Sequence, residues 1–240
     1  MQEILKYLRK ADDDYGLIKE NDTILVGVSG GKDSVLLLYA LSLYQNFKEK
    51  NFTIIGVHMN MGFPNSDITL ITTFMESLSI PFRVVDVPIY EILTHYSKED
   101  GSLDCSRCSN LKRGAIVNLA KEWKANKIAF AHHGDDALET LFLNAIHGAK
   151  MDTFQPQIYY EDKEITFIRP FVYVHESDII QAVKKRQLPT VQSQCPKDGF
   201  SSRTQMKTLL HQIYKDFPAS KKNLLNMLSH EKGVWKKEQK

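Results

Sequence analysis

Short apolar runs alternate with helical stretches through the first two-thirds of this 240-residue chain, and no other feature constrains the fold as tightly. Residues 23–28, 52–57, 82–87 and 127–131 read as strands, the first of them as a buried one. Residues 34–47, 67–78, 110–123 and 136–146 read as helices, the first with Leu36, Leu37, Ala40, Leu41 and Tyr44 available for a buried face. Buried strands alternating with helices imply an α/β fold, a parallel sheet with helices on both faces. A further helix is expected over 4–18, from Ile4, Leu5, Leu8 and Tyr15. After Gly148 the rhythm changes to a last strand over 164–170 and helices over 177–187, 203–214 and 221–229, with Ser177 the expected N-cap of the first of these. The reading divides the chain into an N-terminal helix (1–20), a nucleotide-binding domain (21–190) and a C-terminal basic helical segment (191–240).

In open sheets of this kind ligands bind beyond the carboxyl ends of the strands, so the polar loops there are where chemistry is expected. The first is Ser29-Gly30-Gly31-Lys32-Asp33-Ser34, between a strand and a helix. A helix start there points main-chain N–H groups and the positive end of the helix dipole at one spot, and glycines let a phosphate approach the backbone. Ser29 and Ser34 add hydroxyl donors. Asp33 is out of place beside an anion unless magnesium bridges it to a nucleotide. The spacing is not that of a Walker A loop, which needs four residues between its first glycine and the Gly-Lys pair. The whole string resembles the SGGxDS signature of PP-loop ATP pyrophosphatases, which implies ATP.

A second polar loop, Ala131-His132-His133-Gly134-Asp135-Asp136, ends the fourth strand. Its two acids suit a magnesium ion beside a triphosphate, or the capping of the helix that follows. The chain has three cysteines, Cys105, Cys108 and Cys195. An odd count with no secretory leader argues against a disulfide framework. Structural zinc wants a fourth ligand, a redox pair leaves Cys195 unused, and an iron–sulfur cluster on three thiolates keeps one iron open to an outside ligand. The residues alone leave these readings open.

Net charge is +2, but from residue 203 onward nine Lys and Arg stand against three Asp and Glu. Such a segment suits an anionic partner such as RNA, or is a solvated helix. No apolar run reaches the roughly 20 residues that cross a bilayer. The N-terminus lacks the apolar core of a signal peptide. The expectation is a cytoplasmic protein with no membrane partner.

Taken together, these motifs resemble the TtcA family of tRNA 2-thiocytidine synthetases. Asp14-Tyr15 with Leu17-Ile18, the Ser29–Ser34 string, Gly62-Phe63-Pro64, Cys105-Ser106-Arg107-Cys108 through Arg113-Gly114, His132 to Asp136 with Thr140-Leu141-Phe142-Leu143-Asn144, Ile168-Arg169-Pro170 and Cys195 follow the family's order. The resemblance implies a Rossmann-like PP-loop fold, ATP with Mg2+, and a 4Fe-4S cluster. It implies that a cytidine in the anticodon loop (position 32) is adenylated and then thiolated, with sulfur from a donor such as a cysteine desulfurase or free sulfide. Carried over, Cys105, Cys108 and Cys195 are cluster ligands, and Lys112 acts near the cluster. Ser29, Gly30, Gly31, Lys32, Asp33 and Ser34 hold ATP, with His58, Ala131, His132 and Asp135 beside it, and Asp33 and Asp136 hold magnesium. Two departures stand out: Gly134 where the family has Arg, and His58-Met59-Asn60 where it has Asn-Leu-Asp.

Three alternatives remain at this stage. The target base could be a uridine. The chain could be a lysidine synthetase, although that chemistry needs no cysteines. It could also be a nucleotide- or metal-sensing module, which AMP release in the presence of tRNA and sulfide would separate from an enzyme. A homodimer stays open.

Overall fold

The computed structural model describes residues 1–46, 50–64, 67–97, 103–195, 202–230 and 233–236. In chain order these form α1 (Gln2–Tyr15), β1 (Thr23–Gly27), α2 (Lys32–Gln45), β2 (Thr53–Asn60), α3 (Thr69–Ser77), β3 (Phe82–Asp86), α4 (Ile89–His95), α5 (Cys105–Glu122), β4 (Lys127–Ala129), α6 (Gly134–Gly148), β5 (Gln157–Tyr160), β6 (Ile165–Ile168), α7 (Glu176–Arg186), α8 (Ser202–Asp216) and α9 (Ser220–Ser229). The strands make one sheet in the order β3-β2-β1-β4-β6-β5, parallel except for β5, which pairs antiparallel with β6 at the edge. The expected α/β class, with helices on both faces, is what the chain adopts.

β1 shows why a central strand is apolar at successive positions. Ile24 and Val26 face one core, and Leu25 faces the other. The larger core takes side chains from α1, α2, α3, α6, α7, α8 and α9, and runs from Ile4 to Trp235. α2 is buried nearly all round, from Ser34 through Tyr44. The opposite face of the sheet is covered mainly by α5, through Ile116, Val117, Leu119 and Ala120. These four lie in the second half of α5. Its first half, with Cys105, Ser109 and Arg113 exposed, stands free of the core. Thin cover on this face leaves space between α5 and the carboxyl ends of the strands.

Several boundaries differ from the sequence reading, each for a local reason. α5 begins at Cys105 rather than near residue 110, because Asp104 caps it: its carboxylate accepts from the N–H groups of Ser106 (2.9 Å) and Arg107 (3.1 Å). Seven residues of the expected connection over 88–104 form α4, and residues 98–102 lie outside the described residues. α7 is entered through His175, not Ser177. α2 ends at Gln45, and Phe47, expected within it, is outside the described residues. No helix of the described residues is long and apolar enough to cross a membrane.

Candidate functional site

Sheet order places the two polar loops side by side. The chain runs outward from β1 to β2 and β3, then returns to the other flank of β1 with β4. The crevice opens where that order reverses, between the ends of β1 and β4. A cavity of about 560 Å³ lies there, walled by Ser29, Asp33 and Ser34 after β1, His58 and Met59 on β2, Ala131, His132 and Asp136 after β4, and Lys112 and Arg113 on α5.

The phosphate loop closes on itself. Ser29 N–H donates to Ser34 Oγ (3.1 Å), the two hydroxyls stand 3.1 Å apart, and Ser34 Oγ donates to the Gly31 carbonyl (3.0 Å). Gly30 sits at φ +94°, a conformation that costs other residues energy but not glycine. Gly31 is the N-cap of α2, so the unpaired N–H groups of the first helical turn open at this loop. Lys32 turns aside: its ammonium pairs with Asp33 and with Glu176 at 3.1 Å each. Asp33 Oδ1 is buried near that ammonium but lacks a hydrogen bond of proper geometry.

His133 and Asp136 form a capping box at the start of α6. Thus neither acid of the loop is the N-cap; Asp136 Oδ2 accepts from the His133 N–H at 2.9 Å. The His133 ring puts Nε2 3.8 Å from Asp33 and 3.5 Å from Asp136, so the two carboxylates converge on one point. Two convergent carboxylates suit a hard divalent cation, and the hydroxyls and N–H groups beside them suit phosphate. Asp135 points elsewhere: it accepts from the Glu176 N–H (2.9 Å) and pairs with Lys221, which hold its carboxyl below the usual range against the opposing effect of burial. It does not wall the cavity. Burial pushes the His132 imidazole down to about 4, so it is neutral at physiological pH. His58, also buried, is held by the Val28 carbonyl at 2.9 Å, and burial lowers its pKa.

Gly134 has a spatial cause. A Cβ there would stand 3.1 Å from both the Val172 carbonyl oxygen and Leu225 of α9, so the space an arginine would need is filled.

The cysteines are close without being clasped. Cys105 and Cys108 lie one turn apart at the start of α5, the first exposed and the second partly buried. Burial raises the Cys108 thiol pKa; the Lys112 ammonium, one turn on, opposes that, while Cys195 and Cys105 add to it. Cys108 is therefore in electrostatic reach of both Cys105 and Cys195. Cys195 arrives on an arm tied to the phosphate loop: the Val191 N–H donates to the Gly30 carbonyl at 2.9 Å. Among the described residues no three His, Cys, Asp or Glu side chains form a ready metal-binding group.

Sequence reasoning missed Arg203, Arg113, Arg169 and Glu139 as parts of the site. Arg203 and Arg169 wall the cavity with Arg113. Burial lowers the Arg169 pKa to about 10, and its Nη1 donates to the Gln155 carbonyl. Burial and the Asp136 charge raise the Glu139 carboxyl to about 7. The C-terminal bases hold a further surprise. Arg203 pairs with Asp136 (3.2 Å), Lys207 with Glu176 (2.6 Å) and Lys221 with Asp135. Much of the basic excess is thus turned inward, onto the acids around the nucleotide site. Only the helical position of each base, read against the acids of α6 and α7, could have signalled this.

Comparison with known proteins gives the family. The PP-loop domain family model matches residues 2–212. A tRNA-cytidine(32) 2-sulfurtransferase of Dechloromonas aromatica is 33% identical over 235 residues, covering 96% of this chain and 82% of that protein. Its counterpart in Pelobacter propionicus is 35% identical, covering 92% of this chain and 82% of that protein. Among solved structures, the U34-tRNA thiolase NcsA of Methanococcus maripaludis with its 4Fe-4S cluster shares the fold, with a TM-score of 0.75, 23% identity and coverage of 94% of this chain and 76% of that one. By motif, site geometry and similarity along nearly its whole length, the chain belongs to the PP-loop family, among the tRNA-cytidine(32) 2-sulfurtransferases.

Proposed function

We propose that this chain is an ATP-dependent tRNA sulfurtransferase that replaces the 2-oxo group of cytidine 32 with sulfur. The observation that carries the reading is the single cavity that joins the phosphate loop to the cysteine-bearing helix. Activation and sulfur delivery must act on one carbon, and the helix that begins with Cys105 and Cys108 reaches this space through Ser109, Lys112 and Arg113, one turn beyond the thiols.

Ser29, Gly30, Gly31 and Ser34, with the start of α2, hold the ATP phosphates. Asp33 and Asp136 hold magnesium, and His58, Ala131 and neutral His132 wall the nucleotide. Cys105, Cys108 and Cys195 hold the 4Fe-4S cluster, which requires the arm to draw Cys195 fully onto α5. When bound, magnesium–ATP would supply an electrophilic α-phosphorus and the cluster an iron able to take up sulfide. The cytidine O2 takes the adenylyl group and pyrophosphate leaves. Sulfide, delivered free or by a cysteine desulfurase, then adds at C2, and the C2–O bond breaks with AMP carrying the oxygen away. Lys112, between Cys108 and the cavity, steadies the negative charge that gathers on O2 and the entering sulfur. The tRNA backbone is held by bases outside the acid-paired set, exposed Lys215 and Lys222 among them.

Mass spectrometry of tRNA nucleosides from a deletion strain tests the reading. 2-Thiocytidine should vanish and return with the wild-type gene. Loss of a thiouridine with 2-thiocytidine intact would assign another base, and an unchanged profile would refute the enzyme reading.

A further inference from the structure

Among the described residues three cations of the C-terminal helices are paired with acids around the site, and one pair differs from the rest. The partners of Lys207 and Lys221, Glu176 and Asp135, do not wall the cavity; the partner of Arg203, Asp136, does. Arg203 lies in the first turn of α8 and reaches across one face of α6. Nη1 donates to Asp136 Oδ1 at 3.2 Å, Nη2 to Thr140 Oγ1 at 3.2 Å, and Nε stands 4.0 Å from Glu139. Asp136, Glu139 and Thr140 are three and four residues apart, so they form one stripe, and the guanidinium lies along it. Its side chain is 44% exposed, which leaves it free to turn.

We infer that the Arg203–Asp136 pair is exchangeable: Asp136 trades the guanidinium for the divalent cation, and Arg203 moves to the phosphates that arrive with it. The inference rests on the magnesium–ATP reading above. Asp136 Oδ2 is already engaged by the His133 N–H, so Oδ1 is the oxygen left for a metal, and it is the one Arg203 holds. A divalent ion sits about 2.1 Å from a carboxylate oxygen and repels a guanidinium on the same lone pairs. Thr140 and Glu139 keep their hold on the opposite edge of the group. Nη1 is released toward the cavity, where its two N–H groups can each meet a phosphate oxygen while the rest of the guanidinium stays anchored. One residue thereby shields Asp136 from metal alone and favours metal together with nucleotide.

Two binding measurements on the full-length chain test this without tRNA or turnover. Mn2+ alone is titrated by electron paramagnetic resonance, and Mg2+ with a non-hydrolysable ATP analogue by calorimetry. Arg203→Gln should bind Mn2+ alone several-fold more tightly than wild type, since its competitor is gone. It should bind the magnesium–nucleotide complex about 10- to 100-fold more weakly, as loss of a charge-assisted contact dictates. Arg203→Lys should restore the wild-type Mn2+ affinity but recover only part of the nucleotide affinity. If Arg203→Gln weakens both ligands, the residue is structural and the exchange is wrong; if it changes neither, Arg203 touches neither ligand. Failure of wild type to bind magnesium–nucleotide would refute the ATP reading itself, a separate outcome.

Discussion

The phosphate loop and the cysteine site adjoin one cavity, the loop lining it and the cysteines standing a turn beyond its wall on α5, but they are built in opposite ways. The loop is local: Ser29, Gly31 and Ser34 satisfy one another within six residues of chain. The cysteine site joins the start of α5 to an arm nearly ninety residues further on, and the tie nearest to it that pins the arm to the loop is one hydrogen bond from Val191 to Gly30. A local site forms wherever its strand and helix form. A long-range site exists only when the whole molecule has closed, and it can be lost without the other.

The largest effect that should separate them comes from the thiols. Alanine at Cys105, Cys108 or Cys195 should abolish thiolation, with no 2-thiocytidine detected in tRNA, while magnesium–ATP binding stays within about 2-fold of wild type because no loop contact is touched. A parallel loss of ATP binding would show the two sites to be one unit. Next, Asp136→Asn should lower AMP formation by about 100-fold or more, as removal of a metal-held charge in a reacting centre does. Circular dichroism should show an intact fold, since an Asn oxygen can still accept the His133 N–H.

A smaller effect is expected at the tie between the regions. Val191→Pro removes the N–H given to Gly30, at a cost to stability of about 1 kcal/mol. Thiolation should fall about 10-fold, with adenylation changed far less, measured as the ratio of 2-thiocytidine to AMP. Equal losses in both steps would mean that the arm serves the loop rather than the cysteines. The smallest effect belongs to the outward-facing bases. Lys215→Gln and Lys222→Gln should each weaken tRNA binding only a few-fold and flatten its salt dependence by about one unit of log–log slope. Truncation beyond residue 221 is a poorer test, because it removes buried Leu228 and Trp235 along with the charges.

The same contrast explains what could be read from the sequence. The central parallel strands β1 and β4 were legible because burial on both faces makes each a mostly apolar run. β3, half-exposed at the sheet edge with Arg83 and Asp86, was legible from Phe82, Val84 and Val85. The phosphate loop was legible because its chemistry is contiguous. β5 was not: Gln157-Ile158-Tyr159-Tyr160 is a half-exposed edge with no such run. The inward turn of Arg203, Lys207 and Lys221 was hidden for a different reason. Charge counting sees a basic segment but not the acids it faces, which lie 31 to 86 residues away. The place of Asp135 was hidden likewise, since adjacent residues on a helix point in different directions.

The chain has two tryptophans, and the fold sets them in two different parts of the molecule. Trp123 caps the far end of the cysteine helix beneath the Arg83 guanidinium, 4.8 Å from its ring. Trp235 is sealed against Tyr15 and Tyr173, and its indole N–H donates to the Phe154 carbonyl at 2.9 Å, where the C-terminal helices close onto the body. The molecule thus carries two native fluorophores in unlike settings. With Trp123→Phe the emission reports closure of the C-terminal helices, and with Trp235→Phe it reports the helix that bears the cysteines. Movement of the C-terminal helices and movement of α5 could then be followed as separate optical events, with no label added.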